Sequence, residues 1–235
     1  NRVYWDLRED PSDAFYVRTK PLFADWVNMG DSRKRLAPSL GRGITPLVRP
    51  GDYTITMKYD GKEQSQPIKV LKDPNTEGSE ADIQAQYALI ADIKKDINSA
   101  AAVVNKIEVI RRQLYDIKSL IGDEKGSEEV VKSIDATDAK LIEIEGNLIQ
   151  LKITGDGQSS IRWSMQAVEK LGYLAYAAES VDFPPADQHK EVYQVLKARV
   201  ADSQSKMNAF MEKEFPALME SLKKAGYSSP VILKK

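Results

Sequence analysis

EADIQAQYALIADIKKDINSAAAVVNKIEVIRRQLYDIKSLI, residues 80–121, is the stretch on which the fold turns. Ile83, Ile90, Ile97 and Val104 recur every seven residues, and Ile93, Ala100, Ile107, Leu114 and Ile121 form a second series three positions later. Such spacing marks an amphipathic helix whose apolar stripe meets other helices. From Ile107 onward Ile110 and Ile117 join the stripe, so the buried face drifts round the axis, as it must on a straight helix. One helix of about 60 Å is predicted, at 1.5 Å per residue, with Gly122 ending it.

The same grammar continues downstream. Ser127 is placed to cap a second helix, with Glu128 and Glu129 in the first turn where the helix dipole favours carboxylates. Its seam is Val130, Ile134, Thr137, Leu141, Ile144, Leu148 and Leu151. After Gly155-Asp156-Gly157, a third helix over 160–180 carries Ser164, Val168, Leu171, Ala175 and Ala178. Pro184-Pro185 ends it, and Asp187 is placed to cap a fourth with Val192, Leu196, Val200, Ser203, Met207 and Phe210. Pro216 should kink or restart this last helix. Four striped helices on short turns bury their stripes as an antiparallel four-helix bundle over 80–235, with an interior of hydrocarbon and no reactive groups.

Upstream the grammar is different. Residues 1–75 hold half of the chain's Gly and Pro, a density that forbids long helices, and a domain boundary falls at 74–79. Val3, Trp5 and Leu7 alternate with polar neighbours, which predicts a strand with Trp5 in a core. Tyr53, Ile55, Met57 and Tyr59 predict another, Asp60-Gly61 a tight hairpin turn, and Ile68 and Val70 the returning strand. Pro67 confines that strand to an edge or a bulge. Three strands fall short of the seven or so of an immunoglobulin-like sandwich. The expected class is therefore α+β, a partial immunoglobulin-like β-sandwich with a long irregular loop over 1–75, followed by the bundle. The chain opens at Asn1 with no initiator Met and no export segment, and the expectation is the carboxy-terminal part of a longer polypeptide.

Composition narrows the chemistry. With no Cys in 235 residues there is no disulfide framework, thiolate metal site or cysteine nucleophile. Lys and Arg number 34 against 35 Asp and Glu, which removes the electrostatic case for a nucleic-acid binder. No apolar run approaches the roughly 20 residues of a membrane span.

The opening Asn1-Arg2-Val3-Tyr4-Trp5-Asp6-Leu7-Arg8, then Pro50-Gly51-Asp52-Tyr53-Thr54-Ile55 and Asp60-Gly61-Lys62, resembles the end of bacterial sortilin-like β-propeller proteins. These are often labelled glycosyl-hydrolase or neuraminidase-repeat proteins. Lys72-Asp73-Pro74, the segment Gly157-Gln158 through Ile161-Arg162-Trp163, and Asp182-Phe183-Pro184-Pro185 extend the likeness over nearly the whole chain. The resemblance implies a small β-sandwich after a propeller, then a long-helix bundle, in a secreted or periplasmic protein. Any ligand or catalytic site would belong to the propeller, whose repeats this sequence lacks.

No residue pattern here demands catalysis. His189 is the sole histidine and no Ser sits in a nucleophile elbow to pair with it. Glu143 with Glu145, Asp135 with Asp138, and Asp6 with Asp10 are the obvious carboxylate pairs for glycoside hydrolysis, but the first two read as the solvated face of a helix seam. Asp156 lacks the other ligands of a calcium loop, and Gly41-Arg42-Gly43 lacks the Lys-Ser/Thr of a phosphate loop. Trp163 is expected to plug the bundle end. Trp26, in Phe23-Ala24-Asp25-Trp26-Val27, lies in the long loop where binding residues gather, but such a loop also needs apolar anchors, and packing is the favoured reading of this ring. With Asp25, Arg33 and Arg35 it forms the candidate ligand or partner contact, and Arg33-Lys34-Arg35 with Arg42 and Arg49 leaves residues 1–75 mildly basic. No catalytic, cofactor or metal residue is assigned. The functional expectation is a non-catalytic structural or interaction region that docks on the propeller of its parent protein or on another protein. A glycosidase completed by the loop at 15–49, with Asp25 or Trp26 near the cleft, and a helical adaptor are the alternatives.

Overall fold

The computed structural model describes residues 2–30, 34–38, 43–122, 124–155 and 159–227. Within them the chain is α+β, with helices dominating and two small antiparallel sheets. Helix α1 runs Glu80–Ile121 without interruption over 42 residues. A reciprocal capping box fixes its start: Ser79 Oγ accepts from the Asp82 N–H at 3.1 Å, and Asp82 accepts from the Ser79 N–H at 2.9 Å.

Helix α2 spans Glu128–Gly146. Ser127 does stand just before it, but its backbone is already helical and its hydroxyl makes no capping bond. The helix expected over 160–180 is split into a single turn, α3 (Ser159–Arg162), and α4 (Ala167–Glu179). The Glu169 carboxylate sets the α4 start by accepting the Gln166 N–H at 2.9 Å and the Gln150 N–H at 2.8 Å. Ser164 therefore lies outside the helix. Helix α5 spans Asp187–Ala209 with Ala186 at its cap position; Asp187 is the first helical residue and pairs with Lys190 at 3.1 Å.

Pro216 acts as its chemistry requires. Without an N–H it cannot continue the ladder, and the chain widens into a π-helical turn at Phe210–Glu214 before α6 (Phe215–Lys224) restarts. Helix α1 packs against α2, α4 and α5, α4 against α5, and α2 against α5 and α6. Ile93, Ile107, Ile110, Leu114, Leu141, Leu171 and Leu222 meet in one core, to which Phe15, Val17, Met29 and Ala37 of the first 75 residues also contribute.

Strands β1 (Tyr16–Val17) and β2 (Arg35–Leu36) form a two-residue antiparallel pair beside α1. Asn105 of α1 accepts the Tyr16 N–H at 2.7 Å and donates to the Ala14 carbonyl at 2.9 Å. Strands β3 (Gly51–Tyr59) and β4 (Lys62–Val70) make a nine-residue hairpin, closed by Tyr59 opposite Lys62. Asp60 and Gly61 both have positive φ, 48° and 69°, the pair of angles a two-residue turn needs to match strand twist.

Residues 3–7 form no strand. Leu7 has φ 58°, which turns the chain, and the Trp5 indole N–H donates to the Arg8 carbonyl at 3.1 Å. Beyond the Arg8–Leu47 bridge, no neighbouring edge accepts the backbone of this segment among the described residues. Val3 is 93% exposed, and Trp5 lies outside the core at 40%, its ring meeting Tyr53 edge-on at 5.7 Å. Alternation supplies one apolar face, but a strand also needs a paired edge. The described residues thus hold a hairpin and a two-residue pair, not a sandwich.

Candidate functional site

The helical interior contains charge. Glu108 and Arg111 of α1 and Glu145 of α2 are all buried among the core aliphatics. Arg111 Nη1 lies 2.9 Å from Glu145 and 3.2 Å from Glu108, and its Nε lies 2.8 Å from Asp138. This corrects the expectation of a purely hydrocarbon interior and the reading of Glu145 as solvated. Glu143, two residues away, does face solvent. A helical period of 3.6 sends positions two apart to different faces.

Glu108 reaches outward as well. Its carboxylate accepts the Thr19 N–H and the Thr19 hydroxyl, each at 2.7 Å, and also the Arg18 N–H. The loop after β1 is thereby pinned to α1 by one side chain. Burial works against the charge on Arg111, but Glu145, Asp138 and Glu108 outweigh it and keep the guanidinium protonated. Burial, reinforced by the nearby Glu108, raises the Glu145 carboxyl well above the ordinary carboxylate range; Arg111 offsets only part of this. Among the described residues, one Glu145 oxygen, Oε1, has no hydrogen-bond partner.

A cleft of about 760 Å³ opens beside this cluster. Loop residues 19–23 and Asp25 form one wall, α1 contributes Arg111, Arg112, Tyr115 and Lys118, and α2 contributes Ile134, Asp135 and Asp138. Three of its cations hold carboxylates: Arg111 holds Asp138, Arg112 holds Asp116 at 2.6 Å, and Lys118 holds Asp135. Phe23 stands at the rim, 81% exposed, with φ 64°. A positive φ is uncommon for a bulky residue, and here it turns the ring outward while Ala24 and Val27 anchor the loop in the interior.

Two of the candidate contacts from the sequence come together here. Asp25 lines the cleft, and Trp26 borders a shallow adjoining recess that shares Lys20 and Arg112 with it. Trp26 is 76% exposed, so it is not one of the loop's anchors. Arg35 lies apart on β2, its guanidinium donating to the Thr154 carbonyl at 3.0 Å. Arg33, with Arg42 and Asp156, lies outside the described residues. Trp163 does not plug the helices: it is 38% exposed with the Lys152 amine 4.3 Å above its ring.

Glu145 was read as solvated and Glu108 and Arg111 were missed, yet the sequence carries a sign of the latter two. The series Ile83, Ile90, Ile97, Val104 continues seven residues on at Arg111, and Glu108 stands seven after the buried Ala101. Charges at positions where an apolar series should continue are a signal of paired burial.

Among the described residues, no group of three or more His, Asp or Glu side chains could hold a metal ion, and no helix is long and apolar enough to cross a membrane. No protein-family model matches the chain, and neither a curated protein nor a solved structure matches it.

Proposed function

We propose that this chain is a non-catalytic structural and interaction region, placed after the β-propeller of an exported sortilin-like protein. Its hairpin belongs to an immunoglobulin-like sandwich whose other strands come from a partner segment, and its helices form an antiparallel four-helix bundle. One observation carries this reading. Tyr53, Ile55, Met57, Tyr59, Ile68 and Val70 occupy a single face of the β3–β4 hairpin by register, yet Ile55, Met57, Tyr59 and Ile68 are 51, 58, 78 and 36% exposed. A lone two-stranded ribbon is marginal in water and gains stability when a hydrophobic face is covered. Among the described residues no helix packs broadly on it.

The charged cleft supports the same reading. Asp135 and Asp138 are held by cations, the opposite of the apolar surroundings in which a general acid keeps its proton. Glu108 spends its oxygens on loop backbone and Arg111.

Amide hydrogen exchange tests the proposal. Hairpin amides should exchange rapidly in this chain alone and slow strongly when the chain is joined to the propeller-bearing remainder of its parent. Equal exchange in both states would overturn the docking. Hydrolysis of aryl glycosides by the repurified chain, lost in Asp25→Asn, would instead favour the glycosidase reading.

A further inference from the structure

The hairpin has a second unfinished surface, the outer edge of β3, distinct from the face just discussed. The two-residue turn makes Tyr59 and Lys62 a hydrogen-bonded pair, so pairing alternates from there: Met57–Gln64, Ile55–Gln66 and Tyr53–Ile68 exchange bonds, whereas Lys58–Glu63, Thr56–Ser65, Thr54–Pro67 and Asp52–Lys69 do not. Asp52, Thr54, Thr56 and Lys58 therefore aim their backbone N–H and C=O groups away from β4. On the other side, Pro67 occupies an outward-facing position and offers no donor, which blunts the β4 edge. No third strand lies along β3 among the described residues. The segment before Arg8 could have continued its antiparallel pairing with Leu47 onto this edge, but the turn at Leu7 carries it off.

We propose that the β3 edge pairs with β3 of a second copy of this chain, antiparallel and centred on Ile55, giving a continuous four-stranded sheet about a two-fold axis. That register superposes all nine residues and matches outward-facing residue to outward-facing residue. It sets Asp52 opposite Lys58 of the second copy, Thr54 opposite Thr56, Tyr53 opposite Met57, and Ile55 opposite itself. With the strands already present, the polar face gains a row across the sheet of Lys69, Asp52, then Lys58 and Glu63 of the second copy. The Lys58–Glu63 half of that row exists in each hairpin at 3.1 Å. Opposite charges directly across a ladder favour pairing and like charges oppose it. Shifting the register by two residues in one direction places Asp52 against Asp60, and in the other it carries Lys58 beyond the strand to Pro50. The two-fold geometry makes each contact occur twice.

An edge of nine residues buries less than a standard stable interface, so the dimer is weak, with a dissociation constant of about 10–100 µM. Sedimentation velocity on the whole chain, run up to about 1 mM, tests it with three variants. Asp52→Lys and Lys58→Asp each place like charges opposite one another in a homodimer, and each should weaken association about tenfold or more. Mixed in equal amounts they restore both opposite-charge pairs, and a heterodimer should return, weakening as salt is added. Thr54→Pro removes an outward donor without touching a β3–β4 bond and should leave a monomer with unchanged helical circular dichroism. A wild-type chain that stays monomeric at about 1 mM, or charge variants that dimerise as well alone as when mixed, would overturn the proposal. Neither result bears on whether the apolar face docks a partner.

Discussion

Glu145 is the side chain on which the pH response of the molecule turns. Its folded pKa is raised above the unfolded value, so the stability it lends is complete below about pH 4.5 and is lost as pH rises through the folded pKa. Glu145→Gln keeps the shape and removes the titration. Urea melts should therefore show the variant losing less stability than the wild type as pH rises above about 4.5. Arg111→Met should behave oppositely: with Glu108, Glu145 and Asp138 left facing each other, a loss of about 3–5 kcal/mol is expected at neutral pH. In the sequence the ends of this cluster were visible only as interruptions. Arg111 stands where the seven-residue series asks for an aliphatic; Glu108 is its neighbour one turn away on α1, but Asp138 and Glu145 lie 27 and 34 positions away, and only the α1–α2 packing brings them to it.

Among the elements, those governed by local spacing were legible and those governed by neighbours were not. Helix α1 follows from its own stripe, the hairpin from Asp60-Gly61, and the break before α6 from Pro216. The strand read at residues 3–7 fails because pairing is a property of two segments. The late start of α4 comes from Glu169 reaching back to Gln150, a contact between helix and preceding turn that periodicity does not encode. Gly78 shows the same limit. A Cβ built there would fall 1.5 Å from the Asp182 carbonyl oxygen, because the stretch leading into α1 lies directly on the α4–α5 corner, close to where Gln86 of α1 donates to the Val181 carbonyl. Gly78→Ala should destabilise the chain by about 1–3 kcal/mol or more through forced displacement, read as a lowered thermal midpoint. Gly61→Ala, with open space around the site but a positive φ, should leave that midpoint nearly unchanged, since the hairpin adds little to the helical core.

For the whole molecule the expected hierarchy of stability follows the division between packed and unpacked elements. Amides of α1 around Ile93–Leu114 should exchange only through global unfolding, whereas those of β3 and β4 should exchange through local opening at little cost. Uniform protection across both would show that the hairpin and helices form one cooperative unit. The same division gives the joint between them a mechanical role. A pull applied at the tip of the hairpin travels down residues 71–79, where the Lys72 amine grips Thr76 through its carbonyl at 2.6 Å and its hydroxyl at 3.1 Å, and then meets Gly78 wedged against Asp182. The tie at that corner is the Gln86 side chain of α1 bonded to the Val181 carbonyl, so a pull that begins to lift the first turns of α1 should strain the α4–α5 corner as well, and the load is expected to be shared among helices.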